Sequence, residues 1–222
     1  MADYEKEISR TIQAMSGRYA PYNIFSDWVE TCAIAVQNGC CMVRSKVYQE
    51  REKTYLDIIR KYTKEEQSEF ARMFVLLGDA LTESISDVLG RIYMSSEMGN
   101  KHTGQFFTPF HVSEVCARLG IVTDELPRDG KLSLNEPACG SGGMLIAACK
   151  VLHDSGFDFQ RRLEIVAQDL DWKGVYMTYL QLSLIGARAT VVQGDTLATP
   201  FDPMKTEQSH ILRTPAKMGL FL

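Results

Sequence analysis

Two patterns of apolar and polar positions divide the chain. Through residue 98 the apolar positions recur at helical spacing. Trp28, Val29, Ala33, Ile34 and Val36 mark one face behind Asp27 and Glu30, which read as a capping box. Asn38-Gly39 punctuates that stretch, and the charged segment from Arg44 to Lys61 keeps Val47, Tyr55, Ile58 and Ile59 as its apolar side. Thr63 and Glu66 form a second capping box ahead of Phe70, Phe74, Leu77 and Leu81, and Val88, Leu89 and Ile92 share a face in the run from Ile85 to Met94. Residues 1–98 are therefore predicted to be an all-helical region.

From residue 99 the period changes. The polar, glycine-bounded connection Gly99 to Gly104 leads into alternating strand and helix signals. Strands are predicted at Leu132–Asn135, Leu163–Gln168 and Thr190–Gln193, with helices at Met144–His153 and Gly174–Ile185, the second ended by Gly186. Strand–helix–strand–helix–strand is the start of a doubly wound parallel sheet, so residues 99–222 are expected to be an α/β domain.

Composition narrows the function classes. The chain has 222 residues, 45% apolar and 23% charged, which is globular usage. Its 24 basic residues face 28 acidic ones, a net charge of -4, so the basic surplus of a free-standing nucleic-acid binder is missing. Cys32, Cys40, Cys41, Cys116, Cys139 and Cys149 contain no C-x-x-C pair and the four histidines are scattered, so no metal is expected. No apolar run reaches the ~18 residues of a membrane span. The start, Met1 to Glu7, is acidic and polar, unlike a signal peptide. A reduced, cytoplasmic protein without membrane association is expected.

Three strand ends carry the candidate chemistry. The turn Gly140-Ser141-Gly142-Gly143 follows the first strand, where glycines let backbone approach a ligand and the next helix offers free N–H groups; a tight turn alone also needs glycine. Asp169 ends the second strand, where an acid can accept hydrogen bonds from a ribose diol, while Asp169 or Asp171 could equally cap the following helix. Asp195 ends the third strand, as an acceptor for an exocyclic amine or simply as a turn residue. Together they describe a pocket for an adenosine-bearing ligand. The acid Glu136 ahead of the turn suits an ammonium and a sulfonium better than the pyrophosphate of a dinucleotide, which also requires a different glycine spacing.

Glu136-Pro137-Ala138-Cys139-Gly140-Ser141-Gly142-Gly143 resembles the first motif of adenine-N6 DNA methyltransferases, especially the modification subunits of type I restriction systems. Upstream, Gly104-Gln105-Phe106-Phe107-Thr108-Pro109 resembles the F-T-P motif of that family, with Thr108 as N-cap and Pro109 as first residue of a helix from Phe110 to Leu119. Gly194-Asp195-Thr196-Leu197 resembles the stretch that reads the cofactor's adenine. The resemblance runs from about Gly104 to Leu197. It implies a Rossmann-like fold and S-adenosylmethionine as cofactor, held by Gln105, Phe106, Phe107, Thr108, Pro109, Phe110, Glu136, Ala138, Gly140, Ser141, Gly142, Gly143, Asp169 and Asp195.

The resemblance stops at the base-handling step. In the family an N-P-P-[YFW] turn after the fourth strand binds the target amine and stacks on the flipped base. This sequence has no Pro-Pro dipeptide; Asp202-Pro203-Met204 comes nearest, and no catalytic residue is assigned. Only 27 residues follow Asp195, too few for the remaining strands, so a shortened sheet is expected whose open edge needs cover from the N-terminal helices, the tail, a second copy or a sister subunit. Two functions follow: an adenine-N6 DNA methyltransferase acting on DNA with partner help, or a non-catalytic S-adenosylmethionine-binding interaction or decoy protein of a restriction system or mobile element. A dinucleotide-dependent enzyme is the third reading.

Overall fold

Why the helices start where they do is visible in their caps. The computed structural model describes residues 3–95, 106–127 and 130–220. Helix α1 (Tyr4–Met15) is capped by Asp3, which accepts from the Lys6 N–H. Helix α2 (Pro21–Gly39) opens on a proline, whose fixed φ and missing N–H suit a first turn. The box expected at Asp27 is consequently no helix start. Asp27 lies inside α2 and accepts from Tyr62 Oη at 2.9 Å and Lys61 Nζ at 3.3 Å. Helix α3 spans Lys46–Ile59. The second box forms as read: Thr63 N donates to Glu66 Oε2 at 2.7 Å and Glu66 N to Thr63 Oγ1 at 3.2 Å, opening α4 (Lys64–Glu83). Helix α5 (Val88–Ser95) follows.

The second part alternates as predicted. Helix α6 (Phe110–Gly120) precedes β1 (Leu132–Glu136), α7 (Gly143–Asp154), the short α8 (Phe159–Arg162), β2 (Leu163–Asp169), α9 (Trp172–Leu184) and β3 (Arg188–Gln193). At α6 the cap differs by one residue: Pro109, extended at ψ 134, takes the N-cap place without a side-chain bond, and its carbonyl accepts from Val112 N and Ser113 N. The end of α9 follows the glycine rule, with Gly186 at φ +74 and Ala187 N donating back to Leu182 O.

Strands β1, β2 and β3 are parallel neighbours in that order, in an α/β sheet. Strand β4 (Ile211–Arg213), which no local pattern announces, pairs antiparallel with β3. It is placed by remote groups: Arg213 N donates to Gln37 Oε1 at 2.7 Å, and Arg51 of α3 donates to Ile211 O at 2.7 Å. The tail therefore covers the outer edge of β3, and among the described residues no strand pairs with the outer edge of β1.

Register places Leu132, Leu134, Leu163, Ile165, Ala167, Ala189 and Val191 on one face. From β2 and β3 these join Val175 and Met177 of α9 and Ile8, Trp28, Leu77 and Leu89 of the N-terminal helices in a single buried cluster, with Leu132 and Leu134 packed against it. The opposite face carries Ser133, Asn135, Glu164, Val166, Gln168, Arg188, Thr190 and Val192, a mixed face with Val192 buried and the charged side chains toward the strand starts. Gln168 on that face is tied to the C-terminal segment, donating to Thr199 O at 3.1 Å and accepting from Phe201 N at 3.0 Å.

Candidate functional site

The glycine turn is built by the strand ends around it. Cys139 N donates to Gln168 O at 3.0 Å, drawing the turn to the end of β2, and Gly140 N donates to Asp169 Oδ2 at 2.7 Å. Thr178 of α9 donates to Gly140 O at 3.0 Å, and Gly142, at φ +91, sits at the N-cap of α7 with no side-chain bond. Among the described residues the first-turn N–H groups of α7 thus have no side-chain acceptor, the arrangement that favours a negatively polarised ligand group.

The Phe-Thr segment lies against this turn. Phe107 is buried, its ring centroid 5.2 Å from that of Tyr93, whereas Phe106 is 67% exposed. Phe106, Phe107, Thr108, Ala138, Gly140, Ser141, Gly143 and Asp169 share one cavity of about 190 Å³. Pro109 and Phe110 line a different cavity beside α5. Glu136 is half-buried and accepts from Ala138 N at 3.2 Å. Gln105 lies outside the described residues.

Asp169 serves the turn and still has capacity. Its Oδ2 takes Gly140 N and its Oδ1 takes Asp171 N at 2.9 Å, one bond per oxygen among the described residues, and a carboxylate oxygen has a second acceptor site that suits a diol. The helix cap that sequence left open between the two acids belongs to Asp171, which accepts from Lys173 N at 3.1 Å. Asp195 is exposed, accepts from Leu197 N and Ala198 N, and lines a second cavity of about 860 Å³ with Gln168, Phe201, Lys205 and His210. The cavities adjoin: Gly194 N donates to Asp169 O at 2.9 Å, and Thr196 Oγ1 to Pro137 O at 2.6 Å. Alone, 190 Å³ is below the ~300–1,000 Å³ of small-molecule pockets, and the 860 Å³ cavity lined by Asp195 lies beside it. Asp202 closes on its own loop by accepting from Met204 N at 2.9 Å.

Two buried charged groups escaped the sequence reading. Asp87, 2% exposed, precedes α5 and reaches the turn, where Ser141 Oγ donates to its Oδ2 at 2.6 Å. Burial pushes its carboxyl above the ordinary range, against the hydrogen bonds from Ser141, Gln181 and Gly90. An Asp directly ahead of an apolar helical run was the available signal. Lys173, 8% exposed, stands 4.7 Å from the Tyr93 ring centroid and 4.9 Å from that of Tyr22, with Asp171 at 3.4 Å. Burial of Lys173 disfavours its charge, but hydrogen bonds to Tyr93 and Tyr22 outweigh that and raise its pKa. Burial also pushes the Cys139 thiol up to about 12, so it is no nucleophile at neutral pH. Among the described residues no three His, Cys, Asp or Glu side chains gather as a metal site, and no helix is long and apolar enough to cross a membrane.

Against known proteins, residues 84–215 match the family model described as N-6 DNA methylase. The chain is 32% identical over 112 residues to the type I restriction enzyme MjaIX methylase subunit of Methanocaldococcus jannaschii, covering 48% of this chain and 19% of that relative. It therefore spans about a fifth of that protein's length. The crystal structure of the type I restriction-modification system methyltransferase subunit from Streptococcus thermophilus superposes with a TM-score of 0.46 at 12% identity, over 92% of this chain and 60% of the other. A putative class I S-adenosylmethionine-dependent methyltransferase from Listeria monocytogenes gives 0.43 at 14% identity, over 78% and 55%.

Proposed function

The chain belongs to the N-6 DNA methylase family, and on that premise we propose that it binds S-adenosylmethionine and serves methylation of adenine N6 in DNA. The observation that carries this reading is the meeting of Phe107-Thr108, the glycine turn and Asp169 around one cavity, although they are far apart in sequence. The cofactor would supply an electrophilic methyl group on its sulfonium. Phe106, Phe107 and Thr108 would flank its amino-acid end, with Glu136 as the nearby acid. Ser141 to Gly143 would offer backbone N–H groups, Asp169 would accept the ribose hydroxyls, and Asp195 would accept the adenine amine.

No side chain is assigned to the transfer step. The Asp202-Pro203-Met204 loop has neither the second proline nor the aromatic of the family turn, and it is hydrogen-bonded to itself. That observation favours, as second reading, a non-catalytic cofactor-binding component. DNA, with a sister subunit or second copy along the outer edge of β1, is the proposed partner set, in the cytoplasm.

Calorimetry separates the readings. Heat on titration with S-adenosylmethionine and none with NAD is expected; the reverse overturns the cofactor assignment. Tritiated cofactor and adenine-containing DNA then report transfer. Incorporation supports the enzyme, and bound cofactor without incorporation supports the binding component.

A further inference from the structure

One buried carboxylate joins the N-terminal helices to the glycine turn. Asp87 Oδ1 accepts from Gly90 N at 2.9 Å, capping α5, and from Gln181 Nε2 of α9 at 2.9 Å. Its Oδ2 takes the Ser141 hydroxyl, and the same Gln181 amide donates to Ser141 O at 2.9 Å while Gln181 Oε1 accepts from Leu89 N at 3.0 Å. The approach is so close that a Cβ on Gly90 would lie 2.1 Å from Asp87 Oδ2 and 2.7 Å from Ser141 Oγ. Gln181 is fully buried, and neither Asp87 nor Gln181 lines the cavity of the turn.

We propose that Asp87 is the positioning residue of the cofactor turn, holding the Ser141 hydroxyl so that Ser141 presents backbone rather than side chain to the cofactor. Ser141 cannot rotate its hydroxyl outward without leaving a buried carboxylate oxygen unpaired, which is costly in a low-dielectric site. Helix α5, upstream of the glycine-bounded connection, is thereby part of the binding unit. This inference rests on reading the turn as a cofactor cradle.

The test is a cycle of Asp87→Asn, Ser141→Ala and the double variant. Dissociation constants for S-adenosylmethionine come from calorimetry, and amide exchange of residues 141–144 from mass spectrometry. Asp87→Asn keeps the shape and is expected to weaken binding about tenfold, with the urea midpoint little changed and exchange at the turn faster. Because Asp87 acts through Ser141, the double variant should lose about tenfold rather than a hundredfold. Unchanged affinity and exchange in Asp87→Asn, or additive losses, would overturn the proposal. If Asp87→Asn fails to fold, Gln181→Met removes the brace from a position outside the cavity lining. Stranding Leu89 N and Ser141 O should lower its urea midpoint, and binding should still weaken and exchange at the turn still quicken, unchanged exchange overturning the proposal. If the wild-type chain binds no S-adenosylmethionine, the cofactor reading falls, and the exchange measurement alone decides whether Asp87 orders the turn.

Discussion

Replacing Gly140 with Ala probes the contact between the turn and Phe107. Gly140 has φ +53, a left-handed conformation that costs an L-residue about 1–2 kcal/mol. An added Cβ would also stand 2.9 Å from Phe107 Cδ1 and 3.1 Å from its Cε1. The ring has little room to retreat, because Phe107 is buried and packs on the fully buried Tyr93. Overpacking of this kind adds about 1–3 kcal/mol, for a total loss of about 2–5 kcal/mol. Gly156→Ala is the control: φ is +80, but nothing lies within 4 Å, so only the backbone cost of about 1–2 kcal/mol applies. For a domain of this size the additional 1–3 kcal/mol corresponds to roughly 2–12 °C between the two melting temperatures. Urea and thermal unfolding of both variants measure the difference. Should Gly140→Ala melt no lower than Gly156→Ala, Phe107 does not back onto the turn and the geometry assigned to the cavity is wrong.

Three further outcomes are expected. Thr214→Val keeps the side-chain shape but removes the hydroxyl that accepts from Ala189 N at 2.9 Å and donates to Ala187 O at 2.7 Å. Stranding that buried N–H should cost about 1–3 kcal/mol in urea melts, and a loss under about 0.5 kcal/mol would refute the anchoring of β4. Burial raises the Glu164 carboxyl, but hydrogen bonds from Lys217 and Arg188 outweigh it and leave its pKa below the ordinary 4.5. A depressed carboxylate contributes stability above its unfolded pKa and loses it as pH falls through the folded value. The tie between β2 and the C-terminal segment should therefore be complete above about pH 4.5 and fade below it, a dependence that Glu164→Gln removes in exchange measurements; identical profiles would contradict it. At pH 8 a thiol with a pKa near 12 is ionised in about one molecule in 10⁴, so iodoacetamide should label exposed Cys116 and spare Cys139 until denaturant is added, as peptide mass spectrometry would show.

Features recorded in short stretches of chain are legible without a structure. The Thr63–Glu66 box, the Gly186 stop and the β1-turn-α7 passage each depend on residues within a few positions of one another, and each stands where the pattern puts it. The Asp27 reading failed for the same reason: a cap-like pair is no cap when Pro21 has already started the helix, and Asp27 instead serves Tyr62 and Lys61. Strand β4 has only three residues and depends on Gln37 and Arg51, some 160–176 positions away, so no window could announce it. The candidate site divides likewise. Its glycines and strand-end acids stand out as residue types at strand ends, but their sorting into a cavity around Asp169 and another around Asp195 is a matter of how β1, β2 and β3 align. Asp87 marks the limit most clearly. As a letter it is an ordinary helix cap, and it becomes part of the turn only because α5 and α9 bury it 54 positions from Ser141, where a carboxylate must find donors or lose its charge. Periodicity and turn chemistry act over a handful of residues and can be read along the chain; burial, which gives one carboxylate its role, exists only once distant segments have packed.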